Sequence, residues 1–125
     1  MRTTTIGAVV AGAMLLMAGA ASAQTYTGAV YGSGSGNNCS RYKMTMDVTV
    51  AGAQVQGTFQ QDKGLKDERP QRSFTATADG AGNFRAVAML GEGNKMSVAG
   101  SAKPNEVRVK LDGYCVFDAK LAPRK

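Results

Sequence analysis

Over Arg41–Val50 the chain reads RYKMTMDVTV, and polar and apolar side chains alternate without a break. Tyr42, Met44, Met46, Val48 and Val50 share one parity; Arg41, Lys43, Thr45, Asp47 and Thr49 share the other. A strand sends successive side chains to opposite faces, so this pattern specifies a strand with one face buried and one in water. A helix would spread the same apolar residues around its whole circumference. The alternation constrains the fold strongly because it returns after almost every glycine-containing turn.

Ala51-Gly52 turns the chain into Ala53–Phe59, where Val55, Gly57 and Phe59 oppose Gln54, Gln56 and Thr58, making a hairpin. Arg72–Ala78 puts Phe74, Ala76 and Ala78 on one face, and Asp79-Gly80-Ala81-Gly82-Asn83 has turn chemistry throughout. Phe84–Leu90, Lys95–Ser101, Glu106–Asp112 and Tyr114–Ala122 continue the series. Met96, Val98 and Gly100 point inward on one of these, Val107, Val109 and Leu111 on the next, and Cys115, Phe117, Ala119 and Leu121 on the last. Thr25–Tyr31 supplies a first strand before the loop Gly32–Asn38. The stretch Gln60–Gln71 interrupts the rhythm and reads as a long polar loop. The pattern predicts an all-β domain of about eight short antiparallel strands, an up-and-down meander forming a small closed or partly open barrel. Closure would set the first and last strands side by side.

Residues 1–23 have the organisation of a cleaved signal peptide. Arg2 is the positive start, Ile6–Met17 the apolar run, and Ala21-Ser22-Ala23 a small-residue cleavage site. The stretch Ile6–Ala23 is barely long enough to span a bilayer and has no charged flank after it, so no membrane span is expected once the leader is removed. The mature part, 24–125, is expected to be one domain, exported to the periplasm or beyond the cell.

Export bears on the two cysteines, Cys39 and Cys115. In an oxidising compartment they are expected to pair, and only one intramolecular pairing exists. Closing so long a loop is worth about 4–5 kcal/mol in the chain-entropy model, much of the net stability of a small domain. No C-x-x-C spacing and no histidine are present, which argues against a redox pair or a metal site.

The absence of histidine also removes serine–histidine and cysteine–histidine nucleophile systems. The nine carboxylates are scattered over turns and polar faces. Gly32–Asn38 is glycine-rich but lacks the Lys-Ser/Thr ending and the helix of a phosphate loop. No catalytic, cofactor-binding or metal-binding residue is therefore assigned, no cofactor is expected, and the expected function is non-enzymatic. The net charge of +6 suits an anionic partner, but the cations are spread along the chain, as solubility alone would also place them. Tryptophan is absent, and most of the four tyrosines and four phenylalanines fall by parity in the core, which disfavours nucleic acid. An anionic envelope component or a protein remains as the expected partner.

Tyr26-Thr27-Gly28, Cys39, the hairpin Val50–Gly57, Gly113-Tyr114-Cys115 and the basic end Leu121–Lys125 together resemble a group of small exported alphaproteobacterial β-meander proteins of unassigned function. Members of that group carry tryptophan in the first and last strands; this chain has none. The resemblance implies the same export and disulfide and brings no catalytic residue. A looser similarity is to periplasmic inhibitors of bacterial metalloproteases, small one-disulfide barrels that plug a protease cleft with their N-terminal segment. The corresponding start here is Gln24-Thr25-Tyr26-Thr27, which does not look like their plug. The resulting expectation is an exported non-enzymatic binding or structural module; the alternative is a protease inhibitor or a carrier of small apolar ligands. Small inward residues, namely Gly57, Ala76, Ala78 and Gly100 with either Ala86 and Ala88 or Val87 and Met89, leave two interiors open. Large residues opposite them could fill the space, or an apolar pocket could lie against that wall.

Overall fold

The computed structural model of the protein describes residues 22–34, 38–62, 70–91 and 93–124. The leader, apart from Ser22 and Ala23, lies outside the described residues, as do 63–69 of the polar stretch and 35–37 of the glycine-serine loop. Eight strands follow in chain order: β1 (Gln24–Tyr31), β2 (Lys43–Ala51), β3 (Gln54–Asp62), β4 (Arg72–Thr77), β5 (Asn83–Gly91), β6 (Asn94–Lys103), β7 (Glu106–Asp112) and β8 (Val116–Pro123). A short 3-10 turn, Cys39–Arg41, precedes β2.

Two boundaries differ from the alternation. Arg41 belongs to the turn, because Asn38 takes a left-handed conformation and the Tyr42 amide donates to the Cys39 carbonyl. Gln60–Asp62, expected in a loop, extend β3 because the β2 hairpin continues in register, with Thr45 opposite Gln60 and Lys43 opposite Asp62. A backbone ladder already in register recruits polar residues whose side chains have no preference for a strand.

All strand pairings are antiparallel, and the sheet order is β4-β3-β2-β1-β8-β7-β6-β5. Every neighbour is also the neighbour in sequence except at β1 and β8, where the start of the domain meets its end, as closure requires. There Tyr26 faces Pro123 and Thr27 faces Ala122, and the Arg124 amide donates to the Thr25 carbonyl at 2.9 Å. At the other end of the same pair, Ser33 and Val116 exchange both backbone hydrogen bonds, at 2.8 and 2.9 Å. The Cys39–Cys115 disulfide, with its Cα atoms 5.5 Å apart, lies beside that bridge and ties the segment after β1 to the start of β8.

The ring of strands is nearly closed. The seam falls between β4 and β5, which form no ladder with each other among the described residues. Their connecting turn closes on itself, the Asp79 amide donating to Asn83 and the Gly82 amide to Asp79, and is tied to its neighbours by the Ala78 amide donating to Ala53 and the Ala102 amide to Gly82. Asp79 holds this turn, its carboxylate accepting from the Ala81 and Asn83 amides, both at 2.9 Å.

Side chains close the seam from inside. Phe74 on β4 stands opposite Gly57 on β3, and Phe84 on β5 stands opposite Gly100 on β6. Each ring lies over its glycine so closely that a Cβ there would sit 2.2 Å from Phe74 Cε2 or 2.5 Å from Phe84 Cζ. The two rings then stack across the gap, centroids 6.2 Å apart and planes 14° from parallel. Gly57 and Gly100 are thus the floor on which the phenylalanines rest, and the space beside these two glycines is filled. Parity on β5, open in the sequence, resolves with Phe84 and Ala88 buried and Val87 and Met89 exposed.

The most deeply buried part of the core includes Met46, Val48, Val55, Val98, Val107, Val109, Leu111, Phe117 and Leu121, all essentially inaccessible. Among the described residues no polar or charged residue is fully buried. Of the tyrosines, Tyr26 is buried, whereas Tyr31 and Tyr114 are 59% and 77% exposed, not in the core. Both lie where the regular ladder gives way, at the end of β1 and in the loop before β8.

Candidate functional site

The ends of β1, β3, β5 and β7 and the starts of β2, β4, β6 and β8 lie together at one end of the barrel, along with the disulfide. At this end the interior opens into a cleft of about 410 Å3. Met44, Phe59 and Met96, all core residues, are its apolar floor. Leu90, Pro70, Gly91, Gln61, Asn94 and Arg72 complete the lining. Another depression of similar volume, about 430 Å3, runs along the seam, where Arg72 and Phe74 line it together with the exposed Ser73, Thr75, Val87 and Met89. The end cleft differs in having three core side chains, Met44, Phe59 and Met96, in its lining, against Phe74 alone in the seam depression. Its volume lies within the range of small-molecule sites, and flexible thioethers let such a surface adapt to a ligand's shape.

Arg72 and Gln61 are on this surface for the same reason as their apolar neighbours. Arg72 shares parity with Phe74 and Ala76, and Gln61 with Val55, Gly57 and Phe59, so both face the interior side of the sheet. They are the last residues of the inward rows, where the barrel meets solvent. Arg72 stands opposite Phe59 in the ladder, and Gln61 opposite Met44. From β4 the Arg72 guanidinium crosses the seam to β5: a Cβ built on Gly91 would lie 3.4 Å from Nη2. Gly91 has φ of +86°, a conformation that itself favours glycine. Among the described residues, no carboxylate pairs with Arg72; the surface ion pairs are those of Glu106 with Arg108 and Lys120. Among the described residues, no carboxylate lines the cleft.

Of the residues singled out in the sequence, Cys39 and Cys115 are brought together, and both are buried. The described part of the glycine-serine loop is committed to the fold. The Gly32 amide donates to Tyr42, and the Ser33 amide to Val116, so neither is free to hold an anion. Among the described residues, no three His, Cys, Asp or Glu side chains converge as a metal site would require, and no helix is long and apolar enough to cross a membrane. Arg72, Gln61 and Asn94 were not singled out in the sequence, although parity with Phe74 already places Arg72 inward. Compared with family models, curated proteins and solved structures, the chain matches none.

Proposed function

We propose that the protein is an exported, non-enzymatic binding module whose cleft at the disulfide end takes the apolar part of a small ligand. The observation that carries this reading is the floor of Met44, Phe59 and Met96, core side chains at the bottom of a cleft open to solvent. Export rests on the signal-peptide pattern of residues 1–23 and agrees with the Cys39–Cys115 bond. The disulfide supports the same site, because it holds the closing strands together at the open end, where the ladder is thinnest.

A protease plug of the N-terminal type is the less favoured reading. Gln24–Thr27 is paired along β2, from Gln24 opposite Val50 to Thr27 opposite Asp47, with Thr25 and Thr49 hydroxyls 2.8 Å apart. Using it as a plug would mean stripping a strand from the barrel.

Titration of the oxidised protein with an uncharged, environment-sensitive probe such as N-phenylnaphthylamine tests the proposal. Saturable binding near one equivalent is expected. Leu90→Trp, which places an indole in the cleft, should weaken it at least tenfold while the protein stays folded. A wild type that binds no probe, or a folded Leu90→Trp protein that binds it unchanged, would overturn the assignment.

A further inference from the structure

Among the described residues the fully buried interior is apolar or small, and three rows that end at the cleft finish in polar groups: Gln61 on β3, Asn94 on β6 and, as the one charge, the Arg72 guanidinium on β4. Resting on the cleft reading above, we infer that the site selects a single-chain anionic amphiphile, with its chain on Met44, Phe59 and Met96 and its carboxylate or phosphate head on Arg72. Three observations carry this. Arg72 faces the interior side by strand parity and lines the cleft beside Leu90 and Phe59. No described carboxylate pairs with it, and none lines the cleft. The remaining polar lining groups, Gln61 and Asn94, carry amide N–H groups that can donate to the same head.

The chemistry favours an anion over a neutral polar head. A guanidinium offers paired N–H donors in a planar fork that matches a carboxylate or phosphate, and a charge-assisted hydrogen bond is roughly twice as strong as a neutral one. A half-buried cation beside apolar side chains is also screened less by salt than one in open water. The same charge disfavours cationic amphiphiles at this position. The competing role for Arg72 is structural: an inward-facing charge on an edge strand keeps that edge from pairing with another chain. That role makes no demand on the ligand's head.

Displacement of the neutral probe, below micelle-forming concentrations, separates the two. Laurate, dodecyl phosphate, dodecanol and dodecyltrimethylammonium share one chain length and differ in the head. With the wild type, laurate or dodecyl phosphate should bind at least tenfold more tightly than dodecanol, and dodecyltrimethylammonium more weakly than dodecanol. The stronger of the two anions identifies the head. In Arg72→Gln the anion preference should fall to within about threefold while dodecanol affinity is kept; Arg72→Lys should keep part of the preference. Equal binding of anion and alcohol by the wild type overturns the inference and leaves the cleft reading standing. So does a preference that survives Arg72→Gln. Parallel loss of dodecanol binding and thermal stability in both variants assigns Arg72 the structural role. Absence of binding by every probe overturns the cleft reading itself.

Discussion

The seam makes an unusual demand on Gly57, and adding one methyl group there tests it. A Cβ at position 57 would lie 2.2 and 2.4 Å from Phe74 Cε2 and Cζ, more than an ångström inside ordinary carbon contact. The ring has little room to yield, being buried and stacked on Phe84 on its other side. Gly57→Ala is therefore an overpacking change and should cost about 1–3 kcal/mol. Removing the ring reverses the sign. Phe74→Ala alone should cost about 3–5 kcal/mol through the cavity it leaves. In that background the methyl group meets space, and alanine is better than glycine in a strand by about 0.5–1 kcal/mol. The double variant should thus be more stable than the sum of the single changes by about 2–3 kcal/mol, well beyond the error of additivity. Urea unfolding of the four oxidised proteins gives the cycle, with Phe74→Leu replacing Phe74→Ala where the latter does not fold. Additive changes would refute the claim that the ring occupies the glycine's missing side chain. The mirror site supplies a control. A Cβ on Gly100 would lie 2.5 Å from Phe84 Cζ but also 2.3 Å from the Arg108 carbonyl oxygen. Backbone cannot move aside as a ring can, so Phe84→Ala should leave most of the Gly100→Ala penalty in place.

Two further outcomes follow from the closure and the outer face. Replacing Cys39 and Cys115 by serine should lower unfolding stability by about 4–5 kcal/mol, the loop-closure value for residues 76 apart; thiol titration of the unreduced, unfolded wild type should find no free thiol, and two reactive thiols would contradict the bond. On the outer face Arg108 lies opposite Lys120, and Glu106 approaches both, at 3.3 and 3.8 Å. These groups are largely exposed, so Glu106→Gln should cost less than about 1 kcal/mol and the cost should shrink with added salt; an equal loss at low and high ionic strength would show that the carboxylate acts through something other than charge.

What was legible in the sequence was local. Met44, Met46, Val48 and Val50 alternate with polar residues because a pleated strand with one buried face needs that order, and β2 formed where the alternation lay. The turns were legible for the same reason: Asp79–Asn83 contains the residues whose side chains or conformational freedom make a turn without help from the rest of the chain. The two cysteines could pair in only one way within the chain, so their bond needed no coordinates. Parity with Phe74 also puts Arg72 on the inward face, whereas Gln61 falls in the polar stretch Gln60–Gln71; that both line one cleft depends on strands far apart in the chain coming together.

The tertiary structure decided what depends on residues far apart in the chain. Alternation says that one face of each strand is buried and says nothing about which pair of strands will fail to join. That pair is β4 and β5, whose ladders run only to β3 and to β6 among the described residues and whose gap is closed by side chains. The same holds for the interior. Gly57 and Gly100 look like room for a ligand as long as each strand is read alone; opposite Phe74 and Phe84 they become the space two rings need. Sequence by itself determined most of the strands, the turns and the disulfide pairing, since those follow from backbone stereochemistry and from two cysteines having one possible partner each within the chain. Only the closed arrangement of eight strands determined where the space was filled and where it stayed open, because packing depends on which side chains meet across the barrel.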